Sequence, residues 1–255
     1  MLALEVNTDM VAALPFIPVG LVIGALAGLV FRVIPVSWLL DYGDEDASFA
    51  KKAQLSFTFF PGILLLMLAD AFLFWCSRLI IGLDPLLPVV LYIAQPLLLI
   101  IIADLKTRII PDQFILALIP GGMLLWAVDG FKGSSGWWNG LLLRLLAGLL
   151  GGLVLWGCGW LAGKLMKREA MGMGDVKLLA ACSFISGLYD LPFLFCLSFL
   201  LAALVAIPVL VSRLWRRDAS PEIAFGPYIA LATLLLLLFN EQIHGLWQSY
   251  IALLP

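Results

Sequence analysis

The sequence predicts an all-α, polytopic membrane helix bundle, and three observations predict it. Of the 255 residues, 63% are hydrophobic and 13% charged, with a mean hydropathy of +1.09. A soluble domain is nearer half apolar and a quarter charged, so this chain has too few charges to cover a water-facing surface. The apolar residues gather in about eight runs, near the ~20 residues that a bilayer crossing needs. These runs are continuous rather than alternating, which selects helices over barrel strands.

In order, the spans fall at roughly 12–34, 55–82, 87–105, 113–129, 139–163, 174–188, 190–212 and 224–240. Glu5 and Asp9 precede the first run and no Lys or Arg does. A secretory leader would start basic, so the first span is expected to stay in the mature protein. A short linker, 36–54, joins spans one and two, and the whole of 1–255 reads as a single integral-membrane domain. With the N-terminus outside, only Arg78, Lys132 and Arg144 of the 15 Lys and Arg fall away from the cytoplasmic side. The positive-inside bias therefore predicts N-out, eight crossings and C-out. Gly148, Gly151, Gly152 and Gly157 are expected to let helices approach closely in lipid. Cys76, Cys158, Cys182 and Cys196 all lie in apolar stretches and form no CxxC pair, so no structural zinc site is expected. The single histidine, His244, with Trp247 and Tyr250, belongs to a short tail read as an interfacial segment.

Ionisable groups at membrane depth are costly and are functional candidates by default. Two acidic motifs stand out. Ala103-Asp104-Leu105-Lys106-Thr107-Arg108-Ile109-Ile110-Pro111-Asp112 closes the third span, and Gly172-Met173-Gly174-Asp175-Val176-Lys177-Leu178 opens the sixth. The chain crosses twice between them, which puts Asp104 and Asp175 at the same face. Two close carboxylates cannot both ionise readily and share a proton. One then takes a proton from water while the other polarises a scissile carbonyl, which is the chemistry of peptide hydrolysis. Gly172 and Gly174 are expected to permit unusual backbone angles and a close-lying substrate. Pro111 is expected to limit the helix after the first motif. Asp112 is read as a cap of span four. Lys177 is read as a positive-inside anchor, with a substrate or cross-helix contact as the sharper alternative. Asp70, in mid-span two, needs a partner, and Arg144 is a candidate.

At these residues the sequence resembles bacterial prepilin peptidases, the type IV leader peptidases. Members carry an Asp several residues before Ile/Leu-Pro-Asp/Asn, then GxGDxK. These stand here as Asp104 with Ile110-Pro111-Asp112, and as Gly172 to Lys177. The stretch Gly24 to Pro35 looks loosely like the family's N-terminal region, and Phe225-Gly226-Pro227-Tyr228 looks like its late FGPF segment. The resemblance implies an aspartic-type endopeptidase with Asp104 and Asp175 as catalytic residues, supported by Gly172, Gly174, Lys177, Pro111 and Asp112. It implies a bacterial inner-membrane location, and type IV prepilin or type II secretion pseudopilin precursors as substrates, cut at the cytoplasmic face. No cofactor is expected for the peptidase, and neither a metal nor nucleic acid is expected. Many members carry a cytoplasmic domain with zinc-binding CxxC pairs after span one, where this chain has the short linker. Many also N-methylate the new N-terminus, so S-adenosylmethionine is expected only if that second activity is present.

Two other readings stay open at this level. A proton- or cation-coupled transporter would use Asp70, Asp104 and Asp175 as a path. A presenilin-like GxGD peptidase would share the acid pair but cut within a transmembrane segment.

Overall fold

The computed structural model describes residues 9–40, 48, 50, 51, 54, 55, 60–133, 136–167, 171–216 and 224–252; most of the acidic half of the predicted linker, including Asp41, lies outside them, as does Glu5. Eight α-helices of 14 residues or more follow in order among the described residues. They are α1 (Phe16–Val33), α2 (Gly62–Ile81), α3 (Leu86–Thr107), α4 (Asp112–Phe131), α5 (Trp137–Met166), α6 (Met173–Ser186), α7 (Leu191–Arg216) and α8 (Gly226–Ala252). The protein is a polytopic helical bundle. Seven of its helices are long and apolar enough to cross a membrane.

The sixth predicted span is helical but departs from expectation in length. With 14 residues, α6 rises only about 21 Å, against the ~30 Å of a bilayer core. The last span departs the other way. Instead of ending near Asn240, α8 continues through a kink at Phe239 to Ala252, so the predicted tail is helix.

Burial explains the order of the layers. The third span is 61% buried and forms the centre, whereas α5 and α7 are 22% and 11% buried and present their apolar flanks outward. Lipid-facing apolar surface is what a bilayer solvent requires, so these exposed Leu and Trp rows need no protein cover.

Small residues set the closest contacts. A β-carbon on Gly20 would lie 2.6 Å from the Ala71 backbone, and one on Gly24 would lie 2.7 Å from that of Met67, so α1 seats directly on α2. Gly148, Gly151 and Gly152 do the same for α5 against Ala180 and Ser183 of α6. Gly157 does not: nothing stands within 4 Å of a β-carbon there, so it is not a packing site.

The linker contributes a cap. Gln54 is buried, and its amide donates to the carbonyls of Phe31 at 2.8 Å, Arg32 at 3.2 Å and Ile34 at 2.9 Å. These are end carbonyls of α1, which have no partner within the helix. Trp38, in the 3-10 turn Val36–Leu39 that follows α1, packs edge-on to Phe114 of α4.

Candidate active site

Three helix ends meet at one end of the bundle. The first is the C-terminus of α3. Arg108 takes a left-handed conformation and its N–H donates to the Asp104 carbonyl at 2.9 Å, which ends the helix. Asp104 therefore sits in the last turn with its carboxyl group buried, 4% exposed. Pro111 does not limit this helix as expected, because Arg108 stops it first; Pro111 stands instead at the extended N-cap position of α4.

The second end is the N-terminus of α6. Gly172 is its N-cap and Asp175 its third residue. From that position a carboxylate can turn back to the N-cap amide, and Asp175 does so, facing the Gly172 N–H. The expectation of unusual backbone angles at the two glycines is corrected here. Gly172 is ordinary extended backbone at φ −72° and ψ 143°, and Gly174 is helical without a positive φ. Their contribution is space: a β-carbon on Gly174 would lie 3.3 Å from Ile110, which wedges between the helix ends.

The third end is the N-terminus of α8, which lies outside both acidic motifs. The Gly226 amide faces both Asp104 and Asp175. A β-carbon on Gly226 would lie 2.6 Å from Asp104 Oδ2 and 2.8 Å from Ile110 Cδ1. Asp104 Oδ2 is nevertheless buried without a hydrogen-bond partner. The two aspartates are close enough for the charge of one to act on the other. Arg108 and Tyr228 stand within the same electrostatic reach of Asp104. The signal that could have found Gly226 and Tyr228 was present in the Phe225-Gly226-Pro227-Tyr228 stretch.

The remaining candidates sort by partner. Lys177 Nζ lies 2.7 Å from Asp112 Oδ2, so α6 and α4 are tied at their starts by a cross-helix ion pair at an exposed position. Asp112 is thus not a side-chain cap; Pro111 holds the cap position and Asp112 follows it. The pairing of Asp70 with Arg144 is also corrected. Asp70 Oδ1 accepts from Gln95 of α3 at 2.9 Å, while Arg144 contacts Asp129 and the carbonyls of Phe184 and Ile185. Helix geometry explains this: Asp70 lies mid-way along α2, and Arg144 near the start of α5 at the end of the bundle away from Asp104. His244 is at that far end too, 2.6 Å from Asp190. A cavity of about 520 Å³ lies there, between Asp84, Asp129, Arg144, Gly187 and Asp190.

Residues 90–207 match the model of the type IV leader peptidase family. Among curated proteins, the chain is 35% identical over 140 residues to a prepilin leader peptidase/N-methyltransferase of Aeromonas hydrophila, covering 55% of this chain and 45% of that protein. It is 32% identical over 147 residues to the protein of the same name from Pseudomonas aeruginosa, covering 58% and 48%. It is 33% identical over 139 residues to that of Dickeya chrysanthemi, covering 54% and 45%. The chain spans about half the length of the curated relatives it matches. No solved structure matches it at a significant level.

Proposed function

We propose that this protein, whose residues 90–207 match the model of the type IV leader peptidase family, is an intramembrane aspartyl endopeptidase that removes the leader from prepilin or pseudopilin precursors. One observation carries the reading: two carboxylates from separate motifs, Asp104 and Asp175, face a single backbone amide at Gly226. The pair holds one proton between them. The ionised member takes a proton from water, whose oxygen adds to the scissile carbonyl carbon. The protonated member donates to the carbonyl oxygen and then to the leaving nitrogen, so water is added across the peptide bond and the pair returns to its starting charge. The Gly226 amide keeps the two carboxyl groups facing one point, and its lack of a side chain lets α8 approach Asp104 Oδ2 closely.

The location follows from the same reading. The acid pair faces the cytoplasm of a bacterial inner membrane, because Lys106, Arg108, Lys164 and Lys177 gather at its end of the bundle. A precursor whose hydrophobic helix lies in the bilayer would then present its leader junction to the two acids.

A transporter is not favoured. Asp70 and its partner Gln95 are separated from Asp104 by about nine residues of α3, some 13 Å, along which Leu99, Ile100 and Ile102 are buried. That stretch offers no polar side chain for a proton to follow.

The relatives' names include an N-methyltransferase, an activity that would use S-adenosylmethionine. Most of the linker lies outside the described residues, and the buried amide described there, that of Gln54, is engaged by three α1 carbonyls.

The test is cleavage of a prepilin by purified protein in lipid, with product masses read for wild type, Asp104→Asn and Asp175→Asn. Leader removal by wild type alone is expected. Cleavage by either variant would overturn the assignment of the pair, and no cleavage by wild type would overturn the function. A further methyl mass appearing only with S-adenosylmethionine would add the second activity.

A further inference from the structure

The short helix α6 raises a question of hydrogen bonding. It begins at the Asp175 end and rises about 21 Å, so its last carbonyls stop within the apolar thickness. Groups left bare there cost several kcal/mol each. Their partners can be identified. The Ser183 carbonyl takes the Gly187 N–H at 2.8 Å, where Gly187 turns the chain at φ 91°. The Phe184 and Ile185 carbonyls take the guanidinium of Arg144, the former at 3.3 Å.

Arg144 comes from α5, seven residues after Trp137, so it reaches α6 roughly 10 Å inboard of the start of α5. Its side chain is only 12% exposed. Its second anchor is Asp129 of α4, at 2.5 Å. Asp129 lies in the last turns of α4, where the helix dipole disfavours an anion, so it is not there as a cap. A cation at the C-terminus of α6 has the favourable sign. The result is one side chain that joins three helices and fixes how far α6 can slide along α5. Gly148, Gly151 and Gly152 bring α6 close against α5 beside this contact.

We propose that Arg144, held by Asp129, is a positioning residue for Asp175: the pair sets the axial height of α6 and so the approach of Asp175 to Asp104. The inference rests on the reading of those two aspartates as the catalytic pair. It differs from the Lys177–Asp112 bridge, which is exposed and sits beside the acids themselves.

The test combines kinetics with a readout that needs no activity. In Arg144→Gln and in Asp129→Asn, kcat for prepilin cleavage should fall at least about tenfold with KM within about twofold, since a small misplacement of a reacting group is enough. Arg144→Lys should restore part of kcat, because an ammonium still reaches carbonyl and carboxylate. Exchanging the two charges, Arg144→Asp with Asp129→Arg, should not restore it, because Asp cannot donate to the α6 carbonyls. Lys132→Gln, which breaks another ion pair at the same end, should leave kcat unchanged. Independently, Asp104→Cys with Asp175→Cys in a background free of the native cysteines should cross-link through a short bis-maleimide, and adding Arg144→Gln should lower the yield severalfold. Unchanged kcat and cross-linking in folded Arg144→Gln, or full rescue by the charge exchange, would overturn the proposal. Should Arg144→Gln fail to fold, Asp129→Asn carries the same comparison. Should wild type cleave no prepilin, the proposed function falls and the cross-linking yield alone decides the positioning.

Discussion

At the residue scale, the acids at the candidate site differ in what surrounds them. Asp104 is buried beside Gly226, Asp175 turns back on its own N-cap, and Asp112 is bound to Lys177 in the open. Asp104→Asn or Asp175→Asn should therefore lower cleavage by at least about a thousandfold, the scale of a lost general acid or base. Asp112→Asn should cost far less, because it removes a solvent-screened pair. Steady-state cleavage of a labelled prepilin checks the order, and an equal loss from Asp112→Asn would reverse the assignment within the first motif. Gly226→Ala puts a methyl group 2.6 Å from Asp104 Oδ2, so activity should fall more than about tenfold while the helices still form. Asp84, in the loop before α3, gives a pH sign. Its carboxyl group is held below the usual range, first by the hydrogen bond from Lys132 and then by the Leu86 amide. That contact is present above the ordinary carboxylate range and is lost as pH falls through the lowered value.

At the scale of the element, helix ends rather than helix interiors carry the functional detail. Asp104 and Asp175 occupy a last and a first turn, and Arg108 and Gly172 are the end residues that place them. The α1 end is handled from outside by Gln54. Gln54→Leu should destabilise the protein by about 1–3 kcal/mol, the cost of unsatisfied buried acceptors, read as a lower midpoint of thermal unfolding in detergent. An unchanged midpoint would mean that water replaces the amide. The tight face between α1 and α2 makes a second case. Gly20→Leu pushes a side chain into the Ala71 backbone and should separate the two helices, seen as loss of cooperative unfolding.

At the scale of the whole molecule, the two ends of the bundle have different chemistry. One gathers the acid pair with Lys106, Arg108 and Lys177; the other holds the Asp84–Lys132, Arg144–Asp129 and His244–Asp190 contacts around a cavity. With the first end cytoplasmic, Lys106→Cys should react with an impermeant maleimide only from the cytoplasmic side, and Tyr189→Cys, at an exposed turn, only from the other. Reversed labelling would invert the orientation without touching the fold.

The sequence by itself determined the bundle, because apolar runs of bilayer length have few other solutions in lipid. It also marked Asp104 and Asp175 as candidates, since ionisable groups at membrane depth are costly and two ordered motifs carry them. Partner choice was not legible. Asp70 and Arg144 could be matched as opposite charges along the chain, but their depths on α2 and α5 assign them to Gln95 and to Asp129. The length of α6 was not legible either, as an apolar run does not announce where Gly187 will turn it. Nor was the role of Gly226, because its amide matters only once α8 brings it against two other helix ends. Composition and periodicity act locally and can be read in order along the chain. The meeting of three helix ends depends on how whole helices pack, and only the tertiary structure decides that.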